Sequence, residues 1–183
     1  MTVKECVLEA AALVGVYETV KDYLDNQSQE GAEDARKLIQ CFNHVENELA
    51  LEYLPLYFEE EVETETGAVY YSELQKAAVR VLAVTDAWGN ETAFTLFPEY
   101  AKTTAGKIRI RYTYTPEEKL IGDESDFLLY ASKRLFGYGM AAEYCLLTGL
   151  FEEAAVWDKK YKDAIAAAYR SKQCKKIKSR RWA

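Results

Sequence analysis

Apolar residues change their spacing twice along this chain, and that change limits the folds open to it. Val3, Val7, Leu8, Ala11 and Val14 begin a helical pattern that runs to Leu24, behind a Thr2-Val3-Lys4-Glu5 capping box. Leu38, Phe42, Val45 and Leu49 form a second helical stripe, which Pro55 ends. Between residues 56 and 116 the pattern becomes short runs rich in Val, Tyr, Phe and Thr, broken by Gly67, Gly89-Asn90 and Gly106. The runs predict strands over 57–63, 68–71, 79–84, 92–97 and 107–114. In the last of these, KIRIRYTY, Ile108, Ile110, Tyr112 and Tyr114 point one way and Arg109, Arg111 and Thr113 the other, as in an antiparallel sheet with one wet side.

After a turn at Gly122-Asp123 helical spacing returns. Leu128, Ala131, Leu135, Tyr138, Ala142 and Cys145 share one face of a third helix, which Gly149 stops, and Trp157, Tyr161, Ile165 and Ala168 line a fourth. The short link makes these two antiparallel neighbours. The order predicts an α+β protein, with antiparallel helices at both ends of the chain and a small, mostly antiparallel β module inserted between them. Its divisions are a helical hairpin over 1–54, the β module over 55–117, a second helical hairpin over 118–172 packing with the N-terminal helices, and a basic extended tail over 173–183.

Charge is distributed unequally. Seven Lys or Arg and no carboxylate side chain follow from Arg170 to the end, whereas the preceding 169 residues carry 16 basic and 30 acidic side chains. Such a body repels nucleic-acid phosphates, and the tail alone escapes that objection. No apolar run reaches the roughly 20 residues of a membrane span, and Glu5 and Glu9 spoil a secretory signal. Cys6, Cys41, Cys145 and Cys174 contain no C-x-x-C pair, which removes a zinc knuckle and a redox motif and leaves buried, reduced thiols as the expectation. Fourteen tyrosines suit strand faces and interfaces equally.

No sequence pattern calls for catalysis, a cofactor or a metal. G-x-S-x-G, H-E-x-x-H and the P-loop are missing, and the single His44 lies off the apolar stripe of its helix. GYGMAA, 137–142, matches G-x-G-x-x-A but falls inside a helix, where small residues instead let another helix approach. Strand periodicity places Glu59, Glu61, Glu63 and Glu65 on one face. That acidic face fits a solvated edge that discourages aggregation, a surface for a basic partner or, least well, a divalent metal, because carboxylates two residues apart on a flat strand lie about 7 Å from one another. In the tail, Lys175, Lys176, Lys178, Arg180 and Arg181 surround Ile177 and precede Trp182. Guanidinium groups for carboxylates or phosphates beside an indole anchor make a docking segment for nucleic acid or an acidic protein surface.

The segments CFNHVENELALEYLPL (41–56), VYYSEL (69–74), YTYTPEE (112–118), LFGYGMAAEYCLLTGLFEEAAVWDKKYKDAI (135–165) and SRRWA (179–183), in this order, resemble the head-tail adaptor (connector or neck) proteins of tailed bacteriophages. The resemblance covers nearly the whole chain. It implies a structural virion protein without enzymatic activity or cofactor, made in the host bacterial cytoplasm, in a ring commonly of twelve copies that connects the portal to the tail and lines the DNA passage. The implied partners are the portal protein, a tail or second neck protein and further copies of the chain, with DNA passing through without specific binding and no membrane. Lys175, Lys176, Lys178, Arg180, Arg181 and Trp182 would then grip the portal or a neighbouring subunit. The alternatives are a nucleic-acid-binding protein using the basic tail, or a different ring such as a tail completion protein.

Overall fold

The computed structural model describes residues 1–128 and 131–172. The chain is α+β, with helices at both ends and strands between them. It divides into two compact units, one formed by Met1–Val45 with the described residues from Lys119 onward, the other by Glu46–Glu118.

In the first unit, the Thr2 hydroxyl accepts from the Glu5 amide and the Glu5 carboxylate accepts from the Thr2 amide, each at 3.2 Å, which starts α1 (Val3–Val14). The long first helix expected from the spacing is in fact two helices. Gly15 takes a left-handed conformation, φ 80°, closes α1 and turns the chain into α2 (Tyr17–Asn26). The apolar spacing continues through the turn, so periodicity alone does not register it. Helix α3 (Ala32–Glu48) buries Ala35, Leu38, Cys41, Phe42 and Val45, then widens into a π-helical turn, Leu49–Tyr53, ahead of Pro55.

Helix α4 (Lys133–Leu147) begins later than the spacing predicts, because the Ser132 hydroxyl accepts from the Leu135 amide and caps the helix there. Leu128, expected on its apolar face, precedes the helix and is 75 % exposed. Leu135, Ala142 and Cys145 are buried as the pattern requires. Helix α4 packs against α1 and against α5 (Phe151–Lys172), whose inward residues include Ala154, Tyr161 and Ile165. Phe42 stacks on Phe136 with centroids 5.1 Å apart, and the Tyr144 hydroxyl donates to Asp34 at 2.7 Å, tying α4 to α3. Asn43 clamps the Lys119 backbone in both directions, and the Met1 carbonyl and Val3 amide bond to Ser125 and Asp123. The segment after the β module is thereby fixed against α1 and α3.

The GYGMAA stretch lies in the interior of α4 and serves close packing. A Cβ on Gly139 would meet the Tyr161 ring at 2.9 Å and both Val45 methyls at 3.0 Å, whereas one on Gly137 would meet chiefly the flexible Glu9 side chain.

The second unit holds two three-stranded antiparallel sheets, ordered β1-β6-β3 and β2-β5-β4. The strands are β1 (Leu56–Thr64), β2 (Ala68–Tyr70), β3 (Ala77–Asp86), β4 (Thr95–Leu96), β5 (Tyr100–Lys102) and β6 (Gly106–Thr115). The expected strand over 92–97 shrinks to two residues, and β5 was not expected at all; strands this short contain too few residues for alternation to show. Ile108, Ile110, Tyr112 and Tyr114 of β6 join Val69, Val81 and Val84 in the core. Glu60 of β1 turns inward with Phe58 and Val62, where its carboxylate accepts from the Tyr112 hydroxyl at 2.5 Å and from the Gln75 amide at 3.0 Å. Burial first, and then that carboxylate, raise the Tyr112 pKa.

Helix propensity alone favours Ala over Gly by about 1 kcal/mol. We nevertheless expect Gly139→Ala to lower stability by about 1–2 kcal/mol in urea unfolding, because buried Val45 and Tyr161 cannot yield. Gly137→Ala should be neutral or stabilising. Equal effects at the two positions would refute the packing argument.

Candidate functional site

The wet face of the larger sheet carries the acidic residues singled out in the sequence. Glu59, Glu61 and Glu63 are exposed along β1, but Glu65 lies past the strand end, in the turn that leads to β2. Directly opposite them on β6 stand Arg111, Arg109 and Lys107. The acidic face is therefore half of a mixed ladder, with cations of the same chain beside its carboxylates. None of the three readings drawn from β1 alone includes this arrangement.

The contacts run diagonally as well as straight across. Lys107 Nζ lies 2.7 Å from Glu61, while Arg109 reaches Glu61 at 2.9 Å and Glu59 at 3.5 Å. Strand twist brings such diagonal neighbours within reach of long side chains. Hydrogen bonds from Lys107 and then Arg109 hold the Glu61 carboxyl below the usual carboxylate range, and Glu61 in turn raises the pKa values of Lys107 and Arg109. Arg111, one step further along, covers the Tyr57 ring with its guanidinium carbon 5.7 Å from the centroid. All of these groups are exposed, so the ladder shapes the surface more than it stabilises the fold.

Its position gives it a use. Strand β1 pairs with β6 alone and is an edge of its sheet. A second β1 laid antiparallel along that edge would set Glu59, Glu61 and Glu63 near the same carboxylates of the other copy, which opposes pairing. Among the described residues, no group of three or more His, Cys, Asp or Glu side chains is placed to hold a metal ion. His44 is exposed on α3. Cys6, Cys41 and Cys145 are buried free thiols, and burial pushes the Cys41 pKa up to about 12. Lys175, Lys176, Lys178, Arg180, Arg181 and Trp182, with Cys174, lie outside the described residues.

Three apolar surface features were not singled out in the sequence. In the turn after β3, the Asp86 carboxylate accepts from the amides of Trp88 and Asn90 at 2.9 and 2.8 Å and from the Asn90 side chain at 3.0 Å. These bonds, led by the Asn90 side chain, lower the Asp86 pKa. They also fix a turn whose Trp88 is 86 % exposed. At the α4–α5 junction Leu146, Leu147, Leu150 and Phe151 are all exposed. Beside β3, Val79, Leu96 and Phe97 are exposed around an open groove. The legible signals were DAWGN, an Asx-type turn with an aromatic in it, and LLTGLF, four large apolar residues around a helix-stopping glycine where polar residues are usual.

No family model matches the chain, and no curated protein matches it. No helix among the described residues is long and apolar enough to cross a membrane.

Replacing Glu59, Glu61 and Glu63 together by Thr should preserve the strand yet promote concentration-dependent self-association in sedimentation velocity at neutral pH; a variant as dispersed as the parent would remove the guarding role. The Glu61 carboxyl should titrate below the ordinary range by carbon-detected NMR. Because its folded pKa is depressed, its contribution to stability is present above the unfolded value and lost as pH falls through the folded one. An ordinary midpoint would show that the ladder is not formed in solution.

Proposed function

We propose that this chain is a structural ring protein of a viral neck, a head-tail adaptor that joins a portal to a tail and surrounds the DNA passage. The observation that carries the reading is that each of the two compact units exposes clustered large apolar side chains: Leu146, Leu147, Leu150 and Phe151 on the helical unit, and Val79, Leu96 and Phe97 on the β unit. A subunit that touches neighbours within a ring and layers above and below it needs several adhesive surfaces, and clustered apolar exposure of this kind marks them. The likeness in segment order to phage adaptors narrows a multi-contact assembly protein to the neck.

Charge supports the same reading. The cations of β6 do not form a free phosphate-binding stripe, since Lys107 and Arg109 are held by Glu59 and Glu61 and Arg111 covers Tyr57. With a net charge of -7, the chain suits a passage that lets DNA slide without trapping it. The basic segment from residue 173 onward is then an arm for carboxylates of the assembly.

Co-expression with the cognate portal tests this. The full chain should assemble as a ring on the portal, seen by electron microscopy, and a chain lacking residues 175–183 should lose docking while its circular dichroism stays unchanged. A chain absent from purified particles and from portal complexes overturns the proposal. Salt-sensitive DNA affinity, with log K falling by about 0.9 per phosphate contacted per log unit of salt, would favour the nucleic-acid-binding alternative.

A further inference from the structure

The α4–α5 junction is a rigid apolar knob. The Leu150 amide donates to the Cys145 carbonyl at 2.8 Å and the Gly149 amide to the Leu146 carbonyl at 3.2 Å, while Gly149 holds φ 79°. This is the paired hydrogen-bond pattern of a Schellman turn, which satisfies the last carbonyls of α4 and fixes the course of the chain. It gathers Leu146, Leu147, Leu150 and Phe151 within six residues at a helix end, and Phe151 is 70 % exposed. Glu152 and Glu153 follow in the first turn of α5, both exposed and neither in an ion pair among the described residues. The knob is thus preformed, exposed and apolar, with two carboxylates directly after it in sequence. Its rigidity means that little conformational freedom is lost on docking.

The groove beside β3 has the opposite character. It is open, about 240 Å³, and lined by Val79, Val81, Leu96, Phe97, Tyr71 and Arg80. Its walls are fixed: the Tyr71 hydroxyl donates to the Phe97 carbonyl at 3.0 Å, and the Phe97 ring stacks on Tyr100 at 4.8 Å. The register of β3 against β6 slips between Ala78 and Arg80, leaving Val79 without a partner on β6. Bulges of this kind re-aim side chains, and Val79 is half exposed in the groove. Arg80 is exposed and has no ion-pair partner among the described residues.

We propose that the knob of one copy seats in the β3 groove of a second copy, Phe151 entering among Val79, Leu96 and Phe97 while Glu152 or Glu153 meets Arg80. Two arguments select this occupant. Each patch supplies what the other lacks, in shape and in the sign of its unpaired charge. Knob against knob would instead bring the Glu152 and Glu153 carboxylates of both copies together. Knob-to-groove contact is heterologous, so it repeats from copy to copy and closes into a ring when the rotation per copy divides a full turn. The inference rests on the ring reading and names the contact that forms it.

The test replaces Phe151 with benzoylphenylalanine in the full chain, mixes isotope-labelled with unlabelled copies at about 1 mM, a concentration that reveals contacts near -4 kcal/mol, and maps photo-crosslinks by mass spectrometry. Intermolecular crosslinks to Val79, Leu96 or Phe97 are expected. Arg80→Glu should reduce their yield about tenfold, and pairing it with Glu152→Arg and Glu153→Arg on the probe-bearing copy should restore it. Crosslinks mapping to another surface, crosslinks confined to one chain, or none at this concentration overturn the contact. A chain found in purified necks with Phe151 crosslinked elsewhere would remove the contact and leave the ring reading standing. The expected crosslinks from a chain missing in particles would do the reverse.

Discussion

Strand β6 lies between β1 and β3, and its strict alternation determines what the larger sheet shows to water. Ile108, Ile110, Tyr112 and Tyr114 go to the core, so Lys107, Arg109 and Arg111 have to go out. A slip of one residue would drive three cations against Val84 and Val69 and expose four large apolar groups, so burial sets the register. Once it is set, the alternation of β1 leaves Glu59, Glu61 and Glu63 no place but opposite those cations. The ion pairs are a consequence of the apolar pattern rather than its cause. Glu60 is the exception on the inner face. It is tolerated because it is only half-buried and the Tyr112 hydroxyl and the Gln75 amide both donate to it.

The helical unit depends on closeness of a different kind. Gly139 leaves the space that Val45 and Tyr161 occupy, so α3 and α5 both approach α4 where a side chain would hold them off. Cys41 and Cys145 take part in the same interior, and burial raises both thiol pKa values, which keeps them protonated and chemically quiet. Tyr144 is buried beside them and meets its polar need through Asp34. One buried hydroxyl thereby links α3 and α4 at a defined point, where apolar contact alone would allow sliding.

Element type was legible wherever a period ran long enough. The second and fourth helical stripes, the third from Leu135 onward and the alternation of β6 fall where the residues place them, because each repeats its signal over several turns or pairs. Boundaries depended on single residues. Gly15 breaks an unbroken apolar pattern through one positive φ, and Ser132 delays α4 with one hydroxyl. The charged face was half legible: the carboxylates of β1 and the arginines of β6 were each read on the wet side of a strand, but no local pattern states that these two strands are neighbours. Pairing between residues 48 positions apart, such as Glu61 and Arg109, is a property of topology. The groove beside β3 was hidden for the same reason, since it joins a bulged strand to a two-residue strand.

The two edges of the larger sheet are treated differently, and that asymmetry has consequences for association. Edge strand β1 presents carboxylates that repel a copy of themselves, while the β3 side has a bulge, exposed apolar residues and Arg80, which has no ion-pair partner among the described residues. Closing the β1 edge by charge disfavours two-fold pairing of β1 with β1, which would end growth at a dimer. It favours contact between unlike surfaces. A protein whose proposed place is one position in a closed ring needs that bias before any partner is present, because a subunit that dimerised through its own edges would be lost to assembly. In the proposed ring the charge ladder and the groove have complementary parts, the first opposing the symmetric β1 contact and the second leaving room for the directional one.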